Sequence, residues 1–143
     1  MRFSLNQATT KHWPLAEVVA GCAEAGVGAV GLWREEVQEY GVQKAAALVR
    51  EAGLEVSSLC RGGFFDGPDW YDENRRALDE AAALGAPALV LVSGGLPAGS
   101  RDLDGARERV GEAVGRLVPH ARQAGVRGQA QCRLRTGFRC QHH

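Results

Sequence analysis

Four short apolar segments end on residues able to do chemistry. Asn6 and Gln7 follow the first, Trp33, Arg34 and Glu35 the second, Cys60, Arg61 and Phe64 the third, and Ser93, Gly94 and Gly95 the fourth. Together they are polar, cationic and aromatic. An arginine beside a glycine-rich turn suits an anionic or polyhydroxylated ligand, because a guanidinium and free backbone N–H groups both donate to oxygen. Other candidates carry less. His12 fits a solvated loop and His120 a helix flank. Glu35 and Glu36 are chain neighbours whose side chains diverge, so at most one enters a site. Cys132, Cys140, His142 and His143 are zinc-ligand types, but C-x7-C-x-H-H matches no compact zinc motif. Gly26, Gly28 and Gly31 spell G-x-G-x-x-G, but between a helix and a following strand. A dinucleotide fingerprint requires the reverse order, so the match is set aside.

The elements that must position these residues repeat. Strands are expected at residues 2–5, 28–33, 54–60 and 88–92. A helix follows each of them. The first starts at Pro14 and carries Leu15, Val18, Val19 and Cys22 on one face. The second covers residues 42–52, and the third begins after Asp69. The fourth follows Asp102 with a stripe through Leu103, Ala106, Val110, Ala113, Leu117 and Ala121. Ala-Gly or Leu-Gly closes each helix before the next strand is due, at Gly26, Gly53, Gly85 and Gly125. ALVLV at residues 88–92 is a continuous apolar run, as in a strand buried on both faces. Alternation of this kind predicts an α/β fold with a parallel sheet, either doubly wound or a (βα)8 barrel. In parallel folds chemistry collects at the strand carboxyl ends, which is where the candidate residues lie.

The 143 residues are 45% hydrophobic, enough for a core. A formal charge of zero conceals a division. Residues 1–112 carry 11 Lys and Arg against 17 acids, and residues 113–143 carry 6 Arg and no acid. That balance argues against a nucleic-acid partner. No apolar block reaches the ~20 residues of a membrane span, and the first residues lack an export signal, so a cytoplasmic protein with free thiols is expected. After Val126 a fifth strand is due, but RGQAQCRLRTGFRCQHH shows neither helical nor strand periodicity. Residues 127–143 are therefore expected to be an irregular basic tail. It is read as frameshifted or disordered; an out-of-frame origin is favoured because the break falls where a strand is due, in a chain with no Ile and 15 Arg to 2 Lys.

Four segments carry a resemblance: SLNQATT at residues 4–10, GLWRE at 31–35, SSLCRGGFF at 57–65 and LVLVSGGLPAGSRD at 89–102. In that order they resemble the sugar phosphate isomerase/epimerase group of the xylose-isomerase-like TIM barrels, over about residues 2–126. The resemblance implies an incomplete (βα)8 TIM barrel: residues 1–126 as four βα units of its N-terminal half, and 127–143 as the tail. It implies aldose–ketose isomerisation or epimerisation of a sugar or sugar phosphate by metal-assisted proton transfer. A divalent ion (Mn, Mg, Zn or Co) is expected in a full-length member. The family's ligands lie on later strands, starting with the fifth, and match nothing here, so no cofactor and no metal ligand is expected in this chain. Substrate-pocket roles pass to Asn6, Trp33, Arg34, Arg61 and Phe64, with Ser93 added from its strand-end position.

The chain is accordingly expected to be a truncated isomerase-type protein, its catalytic residues unassigned, that binds a small sugar or polyol without turning it over. The alternative is a non-catalytic polyol-binding or self-associating half-barrel. Its exposed sheet edges would favour homo-oligomers.

Overall fold

The computed structural model describes residues 3–96 and 99–131. Five strands, β1 (Ser4–Asn6), β2 (Ala29–Trp33), β3 (Glu55–Gly63), β4 (Ala88–Val92) and β5 (Arg127–Gln131), form one sheet in sequential order. Every neighbouring pair is parallel. The connecting helices are α1 (Leu15–Glu24), α2 (Arg34–Tyr40), α3 (Val42–Glu51), α4 (Trp70–Ala83) and α5 (Leu103–Gln123). Helices α1, α3, α4 and α5 pack each against the next along one side of the sheet. That is the sequential, one-sided winding of a partial (βα) barrel, and it excludes a doubly wound sheet, whose helices cover both faces.

Between the layers, α1 contributes Leu15, Val18, Val19 and Cys22, and α4 contributes Ala77, Leu78 and Ala81. They pack on Val30, Leu32, Leu59 and Leu89 of the strands, which are fully buried. Burying apolar area of this kind is the main term holding helix to sheet. Cys22 lies within the core, and its burial pushes the thiol pKa up, which keeps it an unreactive packing residue. Cys22 is a free thiol, as expected of it.

Strand β3 runs three residues past its expected end at residue 60, and two further elements differ from the sequence reading. The first is α2, which begins immediately after β2 and buries Val37 completely. The second is β5. The segment beginning at residue 127 was read as irregular from its start, yet Arg127–Gln131 pairs residue for residue with Ala88–Val92. Its first bond runs from the Arg127 N–H to the Pro87 carbonyl at 2.9 Å. The open edge of β4 offers a full ladder of backbone donors and acceptors, and pairing with them requires no apolar side chain. A Cβ at Gly128 would stand 3.5 Å from the Leu91 side chain, an ordinary van der Waals contact, so this pairing does not depend on glycine there. Residues 132–143, the rest of that segment and the site of Cys132, Cys140, His142 and His143, lie outside the described residues. Among the described residues, the outer edges of β1 and β5 pair with no strand, and no helix is long and apolar enough to cross a membrane.

Candidate functional site

The carboxyl ends of β1, β2 and β3 bring four of the expected residues together. Asn6 ends β1 and caps the 3-10 turn that follows, its Oδ1 accepting from the Ala8 N–H at 3.0 Å. The same oxygen accepts from the Trp33 indole Nε1–H at 3.0 Å. With Oδ1 doubly engaged, the Asn6 amide nitrogen presents two donors that make no hydrogen bond among the described residues. Gln7 fixes Trp33 from below. It is 3% exposed, and its Oε1 accepts from the Trp33 backbone N–H at 2.8 Å.

Arg61 extends from β3 across this pair. Its guanidinium carbon lies 5.8 Å from the Trp33 ring centre and 5.1 Å from that of Phe64. Both are cation–π distances. Nη2 of Arg61 also donates to Oε1 of Glu35 at 3.1 Å. Both side chains are substantially exposed, so this ion pair contributes ~1 kcal/mol at most and its partners can turn to a ligand. Phe64 is 44% exposed on a left-handed backbone, φ 53°. An exposed aromatic held in that conformation is a feature associated with binding sites.

Arg34 is not part of this group, contrary to the expectation. The chain enters α2 at Arg34, so Trp33 stays on the strand while the next side chain swings into the helix layer. There its guanidinium meets Glu73 at 2.5 Å and makes two bonds to Glu80, one of them from Nη2 at 3.1 Å. Burial alone would lower the Arg34 pKa; the hydrogen bonds it donates to Glu80 and Glu73 outweigh it and hold the arginine charged. Arg34 is thus a brace between α2 and α4. Ser93 follows β4 at the correct end of the sheet. Its hydroxyl reaches the Gly94 carbonyl at 3.4 Å, and no hydrogen bond among the described residues joins it to the cluster.

A cleft of about 760 Å³ opens at the other end of the sheet, lined by Phe3, Ser4, Glu55, Leu84, Gly85 and Pro87. It lies at the strand amino ends, the end that in these folds serves stability rather than chemistry. The cluster of Asn6, Trp33, Arg61 and Phe64 therefore lines a different surface.

The structure gives partners to two strand-end residues named without a settled role, Gln7 and Glu35, and adds a third, Asn74. Gln7 was named as a strand-end residue but given no role; its burial marks it as the anchor of Trp33. Glu35 is expected at a strand end, with at most one of the Glu35–Glu36 pair entering a site, and the structure joins it to Arg61. Asn74 was missed, although it stands alone as a polar residue on the apolar stripe of α4, between Trp70 and Leu78. As for a metal, no group of three His, Cys, Asp or Glu side chains that could hold an ion exists among the described residues. Glu35 is the one carboxylate joined to the cluster, since Glu73 and Glu80 are bound to Arg34. A divalent ion needs several such ligands, so the described residues do not fit one.

The geometry has solved counterparts. A Sinorhizobium meliloti 1021 protein superposes with a TM-score of 0.83 at 46% identity, over 90% of this chain and 50% of that one. Crystal structures of a D-psicose 3-epimerase with D-tagatose, from Clostridium cellulolyticum H10, match with a TM-score of 0.72 at 14% identity, over 90% and 51% of the two chains. The IolI protein with a binding zinc atom matches with a TM-score of 0.71 at 16% identity, over 92% and 51%. At such identities the last two show the shared fold. The chain thus spans about half the length of these structures. No match is found among curated proteins. The family described as xylose isomerase-like TIM barrel matches residues 19–130, and the chain belongs to it.

Proposed function

We propose that the carboxyl ends of β1–β3 bind a sugar or related polyol, and that the chain supplies this binding surface to an isomerase- or epimerase-type site. The observation that carries the reading is the joining of Asn6, Trp33, Arg61 and Phe64 by one hydrogen bond and two cation–π contacts. Sugar rings present apolar C–H faces and a rim of hydroxyls. Trp33 and Phe64 offer flat faces to the former. The Asn6 amide and the Arg61 guanidinium offer donors to the latter. The fold family includes sugar epimerases, among them a 3-keto-D-glucoside 4-epimerase from E. coli that shares this architecture.

The described residues account for binding and orientation. Isomerisation or epimerisation moves a proton between carbon and a positioned base, and Glu35 is the one carboxylate in contact with the cluster. A purely binding role is the second reading, and the single available carboxylate favours it for these residues taken alone. Self-association through the outer edges of β1 and β5 belongs to the same proposal.

The test is a calorimetric titration with a free ketohexose such as D-tagatose. Trp33→Ala is expected to weaken binding at least tenfold, about 1.4 kcal/mol. Trp33→Phe, which keeps a flat ring but loses the bond to Asn6, is expected to fall between. Equal affinity for the wild-type and Trp33→Ala proteins would refute the assignment.

A further inference from the structure

Helix α4 turns Trp70, Asn74, Ala77, Leu78 and Ala81 toward the sheet, and Asn74 is the only polar residue of the five. It is 1% exposed. Its Oδ1 accepts from the Gly63 N–H at 2.6 Å, and its Nδ2 donates to the Gly63 carbonyl at 2.9 Å and the Trp70 carbonyl at 2.7 Å. The amide thus grips both backbone groups of one residue, at the last position of β3. Burying an amide is costly unless its groups are paired, and here both donors and the acceptor are.

Gly63 is where β3 departs from regular geometry. Its φ is +104°, and the register between β3 and β4 shifts just before it, between Cys60 and Gly62. Phe64 follows in the left-handed region, its N–H donating to the Val92 carbonyl at 2.8 Å. Asn74 holds this segment from the helix side and Val92 from the sheet side. The two side chains that face each other across it are Arg61 and Phe64, at 5.1 Å. Leucine at position 74 would fill the space with no hydrogen bond, and aspartate would lose both donors.

We infer that Asn74 is a positioning residue: through Gly63 it sets the backbone from which Arg61 and Phe64 meet the polyol, an inference that rests on the binding reading above. Amide exchange on the wild-type chain tests it first. The Gly63 N–H should exchange within tenfold of the Leu59 N–H in mid-β3, although it borders an exposed residue; exchange more than a hundredfold faster than Leu59 would overturn the inference. Asn74→Ala is the direct variant, and Asn74→Asp, which keeps the acceptor, serves if the alanine protein does not fold. In either, the Gly63 N–H is expected to exchange at least a hundredfold faster relative to Leu59. The ring-current shift of the Arg61 side chain from Phe64 should collapse, and D-tagatose affinity should fall at least tenfold. A lowered unfolding midpoint with Arg61 shift and affinity unchanged would make Asn74 merely structural and overturn the inference. If the wild-type chain binds no ketohexose, the binding reading fails, while Gly63 exchange and the Arg61 shift still decide whether Asn74 positions the segment.

Discussion

Replacing Arg34 by methionine is expected to cost about 2–4 kcal/mol of stability, read as a lower urea midpoint. The guanidinium side chain is 9% exposed and lies against Glu80, which is 17% exposed, and Glu73, which is 45% exposed. Removing it strands the Glu80 carboxylate in the helix layer with Gln38 as its remaining donor, at 3.0 Å. The exposure of Glu73 keeps the cost below that of a fully buried pair. A second substitution, Glu80→Met, should restore part of the loss, because apolar groups of similar size tolerate that site where a lone charge does not. Acid should unmask the same network. The Glu73 carboxyl is held below the ordinary carboxylate range, first by its hydrogen bond from Arg76 and then by that from Arg34. A depressed carboxylate contributes fully above its unfolded-state pKa of about 4.3, and the contribution fades as pH falls through the lower folded value. The wild-type chain should therefore lose stability below about pH 4, and the Arg34→Met chain should lose less over that interval. Equal midpoints for the two proteins at neutral pH would show the brace to be energetically idle.

Gly63→Ala is the second large effect, about 3–5 kcal/mol. A Cβ there would stand 2.0 Å from the Val92 carbonyl oxygen and 2.5 Å from its nitrogen, so the two strands would have to separate. The φ of +104° adds strain for any residue with a Cβ. Gly67→Ala is the control: nothing lies within 4 Å of its Cβ position, and its φ is not positive. It should change stability by no more than about 0.5 kcal/mol. Denaturant titration of the pair checks both. Similar midpoints would mean that β3 does not depend on Gly63 to close against β4.

The regular elements were legible because their residues satisfy one pattern at a time. ALVLV is β4 residue for residue, and the spacing of Leu15, Val18, Val19 and Cys22 is the buried face of α1. Three features were hidden for physical reasons. Gly62 and Gly63 lie beyond the strand expected at residues 54–60, yet they extend β3 to Gly63, because small residues let Leu91 and Val92 approach closely. Helix α2 offers Val37 as its one buried apolar residue, too little for a period. The strand β5, RGQAQ, pairs through its backbone at an open edge, which no side-chain pattern announces. For the proposed site, the strand-end rule named Asn6, Trp33, Arg61 and Phe64, which the structure brings together. It misplaced Arg34 because adjacency in sequence to Trp33 does not survive the start of a helix.

The most direct test of the proposed polyol site is a nitrogen–proton correlation spectrum of the chain titrated with D-tagatose. The account predicts saturable shifts concentrated at the Trp33 indole N–H, the Asn6 side-chain amide, the Arg61 Nε–H and the Phe64 backbone N–H. These groups lie at the carboxyl ends of β1–β3. Saturable shifts at Ser4, Glu55 and Gly85, around the cleft at the opposite end, with the Trp33 indole unmoved, would contradict it.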